Sequence, residues 1–243
     1  MIRNVLNIKI DDVSEDEALD KVTSYLKRSD PKKVRPFLIA TVGPEFLLTA
    51  QKDKEFAKIL NAASLSLPEG FGLQLYGGIK NRIPGRLFMI DLCREAAKND
   101  WSIGLLGGWA GDGKKVVVKL RQMFPAIKIS LVVDGDQATA IKNGFDLEST
   151  IKKPIDILFV GFGHPYQEKV LARSRDWFRV GVGVGGAIDY LAGRYPEPPK
   201  FLQSIGFEWL WRLVTQPRRL GRILKATFVF PIVLAFRALN TKY

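Results

Sequence analysis

Ile155-Asp-Ile-Leu-Phe-Val-Gly-Phe-Gly-His-Pro-Tyr-Gln-Glu168 is the stretch that decides the fold. Its centre, Ile157-Leu-Phe-Val160, has no polar alternation, which suits a strand covered on both faces. Glycines follow at once, and a helix is predicted over 166–178. Strand, glycine turn and helix make the repeating unit of a parallel sheet. Outward from here the same rhythm recurs. Strands are predicted at 37–41, 64–67, 103–107, 129–133, 155–161 and 180–185. Helices are predicted at 44–63, 87–98, 114–123 and 187–192. Ser14-Glu-Asp-Glu17 has the pattern of a capping box and opens a further helix to about Lys27.

The expected fold is α/β, a Rossmann-like and mainly parallel sheet covered by helices, over residues 1–193. The chain of 243 residues with 47% apolar content is long enough to bury a sizeable core. Its net charge of +12 points to an anionic partner. A lone cysteine, Cys93, excludes an intrachain disulfide and a cysteine-cluster metal site, and its apolar helical setting suits a buried thiol. Met1-Ile-Arg-Asn followed by Asp11 and Asp12 is not a secretory signal, so a cytoplasmic location is expected.

Residues 194–243 form a second unit, a helical basic and apolar appendage. Nine Lys or Arg face two acids there, with Trp209, Trp211, Phe228, Phe230 and Phe236 threaded among them. The apolar run 226–236 is eleven residues long and interrupted by Pro231, against the ~20 needed to span a bilayer. Such a segment suits the surface of an anionic membrane, apolar side down. Charge alone also suggests a nucleic-acid binder, but cations interleaved with an apolar run argue against one.

Ligands of open parallel sheets bind at the carboxyl ends of the strands. The segments there are Thr41-Val-Gly-Pro-Glu45, Pro68-Glu-Gly-Phe-Gly72, Gly107-Gly-Trp-Ala-Gly111, Asp134-Gly-Asp136, Gly161–Glu168 and Gly185-Gly-Ala-Ile-Asp189. Glycine lets backbone amides approach a phosphate, which makes Gly107, Gly108 and Gly186 candidates alongside Gly43. The turn through Gly107 and Gly108 reads as a nucleotide-diphosphate site, a dinucleotide site or a plain tight turn. Glu69, directly after a strand, is the best-placed general base. Arg82, on the turn Asn81-Arg-Ile-Pro-Gly85, could grip a phosphate with its forked guanidinium. His164 is the only histidine, with Glu168 one helical turn away as an orienting carboxylate. Gln167 could donate to a substrate. Asp134 and Asp136 are either a metal clamp or an ordinary turn.

In their order and spacing these segments resemble the TagA/WecG/CpsF glycosyltransferases, over about residues 37–222. Thr41-Val-Gly-Pro-Glu-Phe46, Leu67-Pro-Glu-Gly-Phe-Gly72, Arg82-Ile-Pro-Gly85, Gly161–Glu168, Gly183–Gly193 and Gly206-Phe-Glu-Trp-Leu-Trp-Arg-Leu213 with Pro217-Arg-Arg219 carry the likeness. The resemblance implies an inverting, metal-independent transfer, without a cofactor. The sugar, of the N-acetylmannosamine type or its uronic acid, would pass from a UDP donor to one on a polyprenyl diphosphate. It implies envelope-polymer synthesis at the inner face of the cell membrane. Glu69 stands where the family has its catalytic Asp, and Gly43 where it commonly has Asn. Thr41, Arg82 and Gln167 match pocket positions, and Arg212, Arg218, Arg219 and Arg222 match the appendage that approaches the lipid diphosphate. A metal-dependent transferase using Asp134 and Asp136, or a non-catalytic membrane-associated relative, are the competing readings. The apolar face at 87–98 is compatible with a homo-oligomer.

Overall fold

The computed structural model describes residues 1–28, 35–144, 147, 150–151, 153–197, 199, 202, 208–216 and 220–240. The chain opens with a hairpin, β1 (Ile2–Val5) and β2 (Ile8–Asp11), followed by α1 (Glu15–Arg28). Next come β3 (Phe37–Val42), α2 (Pro44–Ala50), α3 (Lys54–Asn61), β4 (Leu65–Pro68), α4 (Phe71–Tyr76) and α5 (Gly85–Lys98). They lead to β5 (Ser102–Gly107), α6 (Asp112–Met123), β6 (Lys128–Val133), α7 (Gly135–Lys142), β7 (Ile155–Gly161), α8 (Tyr166–Arg173), β8 (Phe178–Gly183) and α9 (Ala187–Leu191). The six later strands form one parallel sheet in the order β4-β3-β8-β7-β5-β6.

The unbroken apolar run of β7 has the expected cause. Ile157 and Phe159 point into one core layer with Phe88, Leu92, Cys93, Val116 and Leu120 of α5 and α6. Leu158 and Val160 point into the opposite layer with Ile141, Val170 and Leu171 of α7 and α8. Each face of a sheet strand takes alternate residues, so a strand covered twice must be apolar throughout. Burial pushes the Cys93 thiol up to about 12, which leaves it inert. The capping box forms as read: Ser14 Oγ accepts from the Glu17 amide at 3.1 Å, and Glu17 returns the bond to the Ser14 amide at 2.9 Å.

Helices α4 and α7 are not among the predicted segments, and four further local features differ from the sequence reading. The helix expected at 44–63 is two, because Asp53 starts α3 by accepting from the Phe56 amide at 3.0 Å. The helix expected to reach Phe178 ends at Arg173, and a single tight turn, Arg175–Trp177, leads into β8. The hairpin β1–β2 turns through Leu6 and Asn7 at φ 51° and 63°, where leucine is uncommon. Tertiary contacts hold it there. The Leu6 side chain is buried and its carbonyl accepts from Gln51 at 2.8 Å, while the Asn7 carbonyl accepts from Asn61 at 3.0 Å.

The fourth lies in the appendage, which comprises α10 (Glu208–Thr215), α11 (Leu220–Leu224) and α12 (Phe230–Asn240). Pro231 does not break it. One widened π turn over Lys225–Val229 joins α11 to α12, with the Phe230 amide donating to the Lys225 carbonyl. A proline lacks an amide and its ring crowds the carbonyl four residues back, so the extra residue in the turn makes room. Phe230 is fully buried with Val42, Phe46, Leu47 and Leu73, and Val233 and Leu234 pack beside it. Arg237 donates to Gln51 at 2.7 Å. Among the described residues no helix is long and apolar enough to cross a membrane.

Candidate active site

The carboxyl ends of β3, β4, β7 and β8, with the loop after β5, enclose a cleft of about 290 Å³. Glu69 enters it from the end of β4. Its amide donates to the Val42 carbonyl at 2.9 Å, and its Oε1 accepts from the Gly85 amide at 3.2 Å. Two close approaches set this position. A Cβ on Gly70 would lie 2.3 Å from Pro44 Cδ, and one on Gly85 would lie 2.9 Å from Thr41 Cγ2. Glycine at both places therefore draws β3, β4 and the start of α5 together around the carboxylate.

Thr41 is buried, and its hydroxyl donates to the Gly183 carbonyl at 2.9 Å, tying β3 to β8. Gln167 does similar work between two loops. Its Oε1 accepts from the Gly163 amide at 3.1 Å and the Gly185 amide at 3.0 Å, and its Nε2 donates to Glu168 Oε1 at 2.7 Å. Those two loops carry Gly161 and Gly186 into the cleft wall. Glu168 lies buried behind them. Burial pushes its carboxyl up to about 7, partly offset by the Gln167 amide. The His164 ring packs on Phe46 at 4.4 Å between centroids and lines the cleft.

Thr41, Glu69, His164, Gln167 and Gly186 thus meet in one cleft, whereas Gly43, Arg82, Gly107 and Gly108 are not among the residues lining it. Arg86, four residues beyond Arg82 and inside α5, is. Its guanidinium pairs with Glu197 at 3.3 Å and lies 5.8 Å from the Tyr190 ring centroid. The turn bearing Arg82 is held from below by Asp12, which accepts from the amides of Asn81 at 2.9 Å and Lys80 at 3.2 Å. Burial alone would raise the Asp12 carboxyl, but these amides hold it below its ordinary value. At Gly43, a Cβ would lie 2.7 Å from Glu45 Oε2, so the Glu45 carboxylate fills space that a side chain there would take.

The glycine turn after β5 is already capped by carboxylates. Asp112 Oδ2 accepts from the Trp109 amide at 3.0 Å, and Asp134 Oδ2 accepts from the Gly113 amide at 2.7 Å. Asp134 is thereby engaged at the amino terminus of α6 rather than of its own helix α7, and Asp136 beside it is exposed. Among the described residues no group of three or more His, Cys, Asp or Glu could hold a metal ion. The appendage reaches the cleft through Gln216, buried, whose Nε2 donates to the Tyr190 hydroxyl at 2.9 Å. Arg218 and Arg219 lie outside the described residues, as do the side chains of Arg212 and Arg222.

Sequence reading missed Arg86 and Tyr190 as cleft residues and gave Glu45, Trp109 and Asp189 only as members of ligand-facing segments, without singling them out. Glu45, Trp109 and Asp189 were legible as post-strand positions. Arg86 and Tyr190 lie inside helices, and only the packing of α5 against α9 turns them inward.

A parallel α/β sheet with a strand-end carboxylate and a helix-borne guanidinium in one glycine-walled cleft is a Rossmann-like architecture. The chain belongs to the Glycosyl transferase WecG/TagA/CpsF family, whose model matches residues 3–243, and it is a glycosyltransferase. Three similar proteins each bear the name N-acetylglucosaminyldiphosphoundecaprenol N-acetyl-beta-D-mannosaminyltransferase. That of Bacillus subtilis (strain 168) is 30% identical over 197 residues, covering 77% of this chain and 75% of its own length. That of Staphylococcus aureus (strain MRSA252) is 24% identical over 248 aligned residues, covering 98% and 94%. That of Bacillus spizizenii is 25% identical over 235, covering 93% and 90%.

Proposed function

We propose that this enzyme moves an N-acetylhexosamine-type sugar, N-acetylmannosamine or its uronic acid, from a UDP donor. The acceptor is a sugar carried on a polyprenyl diphosphate, and the anomeric centre inverts. The product is a lipid-linked precursor of a bacterial envelope polysaccharide or teichoic-acid-type polymer. The names of the relatives support the sugar and the acceptor. The observation that carries the mechanism is Glu69, held at the mouth of a cleft by the Gly85 amide and sharing that cleft with Arg86.

In this reading Glu69 takes the proton of the acceptor hydroxyl as its oxygen attacks the anomeric carbon. The bond from that carbon to the diphosphate breaks, and UDP departs with the electron pair. Arg86, and Arg82 if the turn closes on substrate, neutralise the charge that builds on the diphosphate. Residues 194–243 serve as the appendage that docks on an anionic membrane at its cytoplasmic face. Leu224, Phe228, Ile232 and Phe236 support this: they recur every four residues along one side and stand exposed, with Lys225 beside them.

The test is Glu69→Gln, assayed with UDP-sugars and a short-chain lipid diphosphate acceptor. A positioned general base contributes about 10²–10⁴-fold, so turnover falls by that factor while UDP binding persists. Glu69→Asp withdraws the carboxylate by roughly one methylene and costs on the order of 100-fold. Undiminished turnover in the Gln variant removes Glu69 from the mechanism. Loss of activity with a chelator would favour the reading in which Asp134 and Asp136 hold a metal.

A further inference from the structure

The loop between β5 and α6 presents Trp109 at the rim of the cleft with 56% of its surface exposed. An indole left that open on a packed protein is unusual, and this one is also held in place. Its amide donates to Asp112 Oδ2, and the same oxygen is ion-paired with Arg194 Nε. Asp112 is fully buried. The Arg194 guanidinium lies over the Trp109 ring, 5.5 Å from its centroid. Glycines at φ +85° and +83° (Gly108 and Gly111) bracket the loop, and a Cβ on Gly108 would strike Ile188 at 2.9 Å. One face of the indole is thus backed by a cation that Asp112 holds, and more than half of the residue's surface stays open to a ligand.

Charge and position together select the ligand. Asp134 already takes the Gly113 amide at the amino terminus of α6, and Asp112 stands in its first turn, so a diphosphate gains little there and meets like charge. What stacks on Trp109 must be flat and neutral. Position excludes the sugar at the reacting bond. Glu69 follows β4 and Trp109 follows β5, four strand spacings away in the order β4-β3-β8-β7-β5, or ~19 Å at ~4.8 Å per spacing. The reach of the two side chains reduces that gap to about the length of an extended nucleoside diphosphate, whose phosphates would pass Arg86.

We propose that Trp109 is the stacking platform for the nucleobase of the donor, with Asp112 and Arg194 as positioning residues that hold the indole ready. The assignment rests on the nucleotide-donor reading above. Because the indole is immobilised before binding, stacking loses little to ordering.

Calorimetric titration of the full-length protein tests it, with UDP as the probe and inorganic pyrophosphate as the base-free control. Trp109→Ala weakens UDP binding by about 10- to 100-fold, the usual worth of base stacking on an aromatic ring. Pyrophosphate binding is unchanged, Trp109→Phe retains most of the UDP affinity, and in turnover the KM for the donor rises with little change in kcat. Equal UDP affinity in wild type and Trp109→Ala overturns the platform alone. So does a parallel loss of UDP and pyrophosphate, or a KM effect confined to the acceptor. Failure of the wild-type protein to bind UDP overturns the donor reading itself and the platform with it.

Discussion

Replacing Glu168 with Gln should flatten one part of the stability–pH curve. The Glu168 carboxyl is buried, accepts one hydrogen bond, from Gln167 at 2.7 Å, and has no partner for Oε2 among the described residues. Burial raises its pKa from the ordinary 4.5 to about 7 in the folded protein. The fold therefore holds a proton between pH 4.5 and 7 that the unfolded chain releases. The stability associated with the neutral carboxyl is complete below 4.5, declines as pH rises through that window, and is gone above 7. At about 1.4 kcal/mol per tenfold change in proton affinity, the loss is on the order of 3 kcal/mol. A glutamine has no proton to lose. The measurement is the free energy of unfolding in urea for wild type and Glu168→Gln from pH 4 to 8. Subtracting one curve from the other cancels every other titrating group. The difference should shift in favour of the variant by about 3 kcal/mol between the ends of the range. A difference constant to within about 0.5 kcal/mol would refute the assignment of a buried neutral carboxyl.

Two further outcomes concern the appendage. Phe230→Ala empties a fully buried site between α2, α4 and α12; it should cost about 3–5 kcal/mol in urea unfolding, and a cost near zero would mean that α12 does not dock on the body. The double variant Phe228→Ser, Ile232→Ser alters only exposed residues. It should leave the unfolding free energy unchanged and weaken binding to anionic liposomes by tenfold or more, as expected for about 2–3 kcal/mol of lost apolar contact. Flotation equal to wild type would separate this stripe from membrane docking.

The sequence by itself determined the sheet. Every strand of β3 to β8 lies within two residues of the segment that apolar runs and glycine punctuation marked. The cause is that burial shapes local composition, on both faces in the central β7 and on alternate residues in the edge strand β6. The helix start marked by a full capping box, Ser14 with Glu17, was equally legible, whereas the single cap Asp53 inside the expected helix 44–63 was not. Turns without a local signal were not. Leu6 sits at positive φ because Gln51 and Asn61, more than forty residues away, bind the carbonyls around it. The candidate site divides the same way. Post-strand position identified Glu69, because parallel strands deliver their carboxyl ends to one edge wherever they lie in the sequence. Only the tertiary structure decided that Arg86 rather than Arg82 lines the cleft, and that Gln167 clamps two loops. It also placed Glu168 in the core against Gln167. Those outcomes depend on which helix face the neighbouring elements cover. The basic tail makes the point most plainly. Composition counted its aromatic residues without sorting them, and packing sends Phe230 into the core while Phe228, Ile232 and Phe236 remain outside. Local chemistry fixes what a segment can bury, and strand order and docking fix what it does bury.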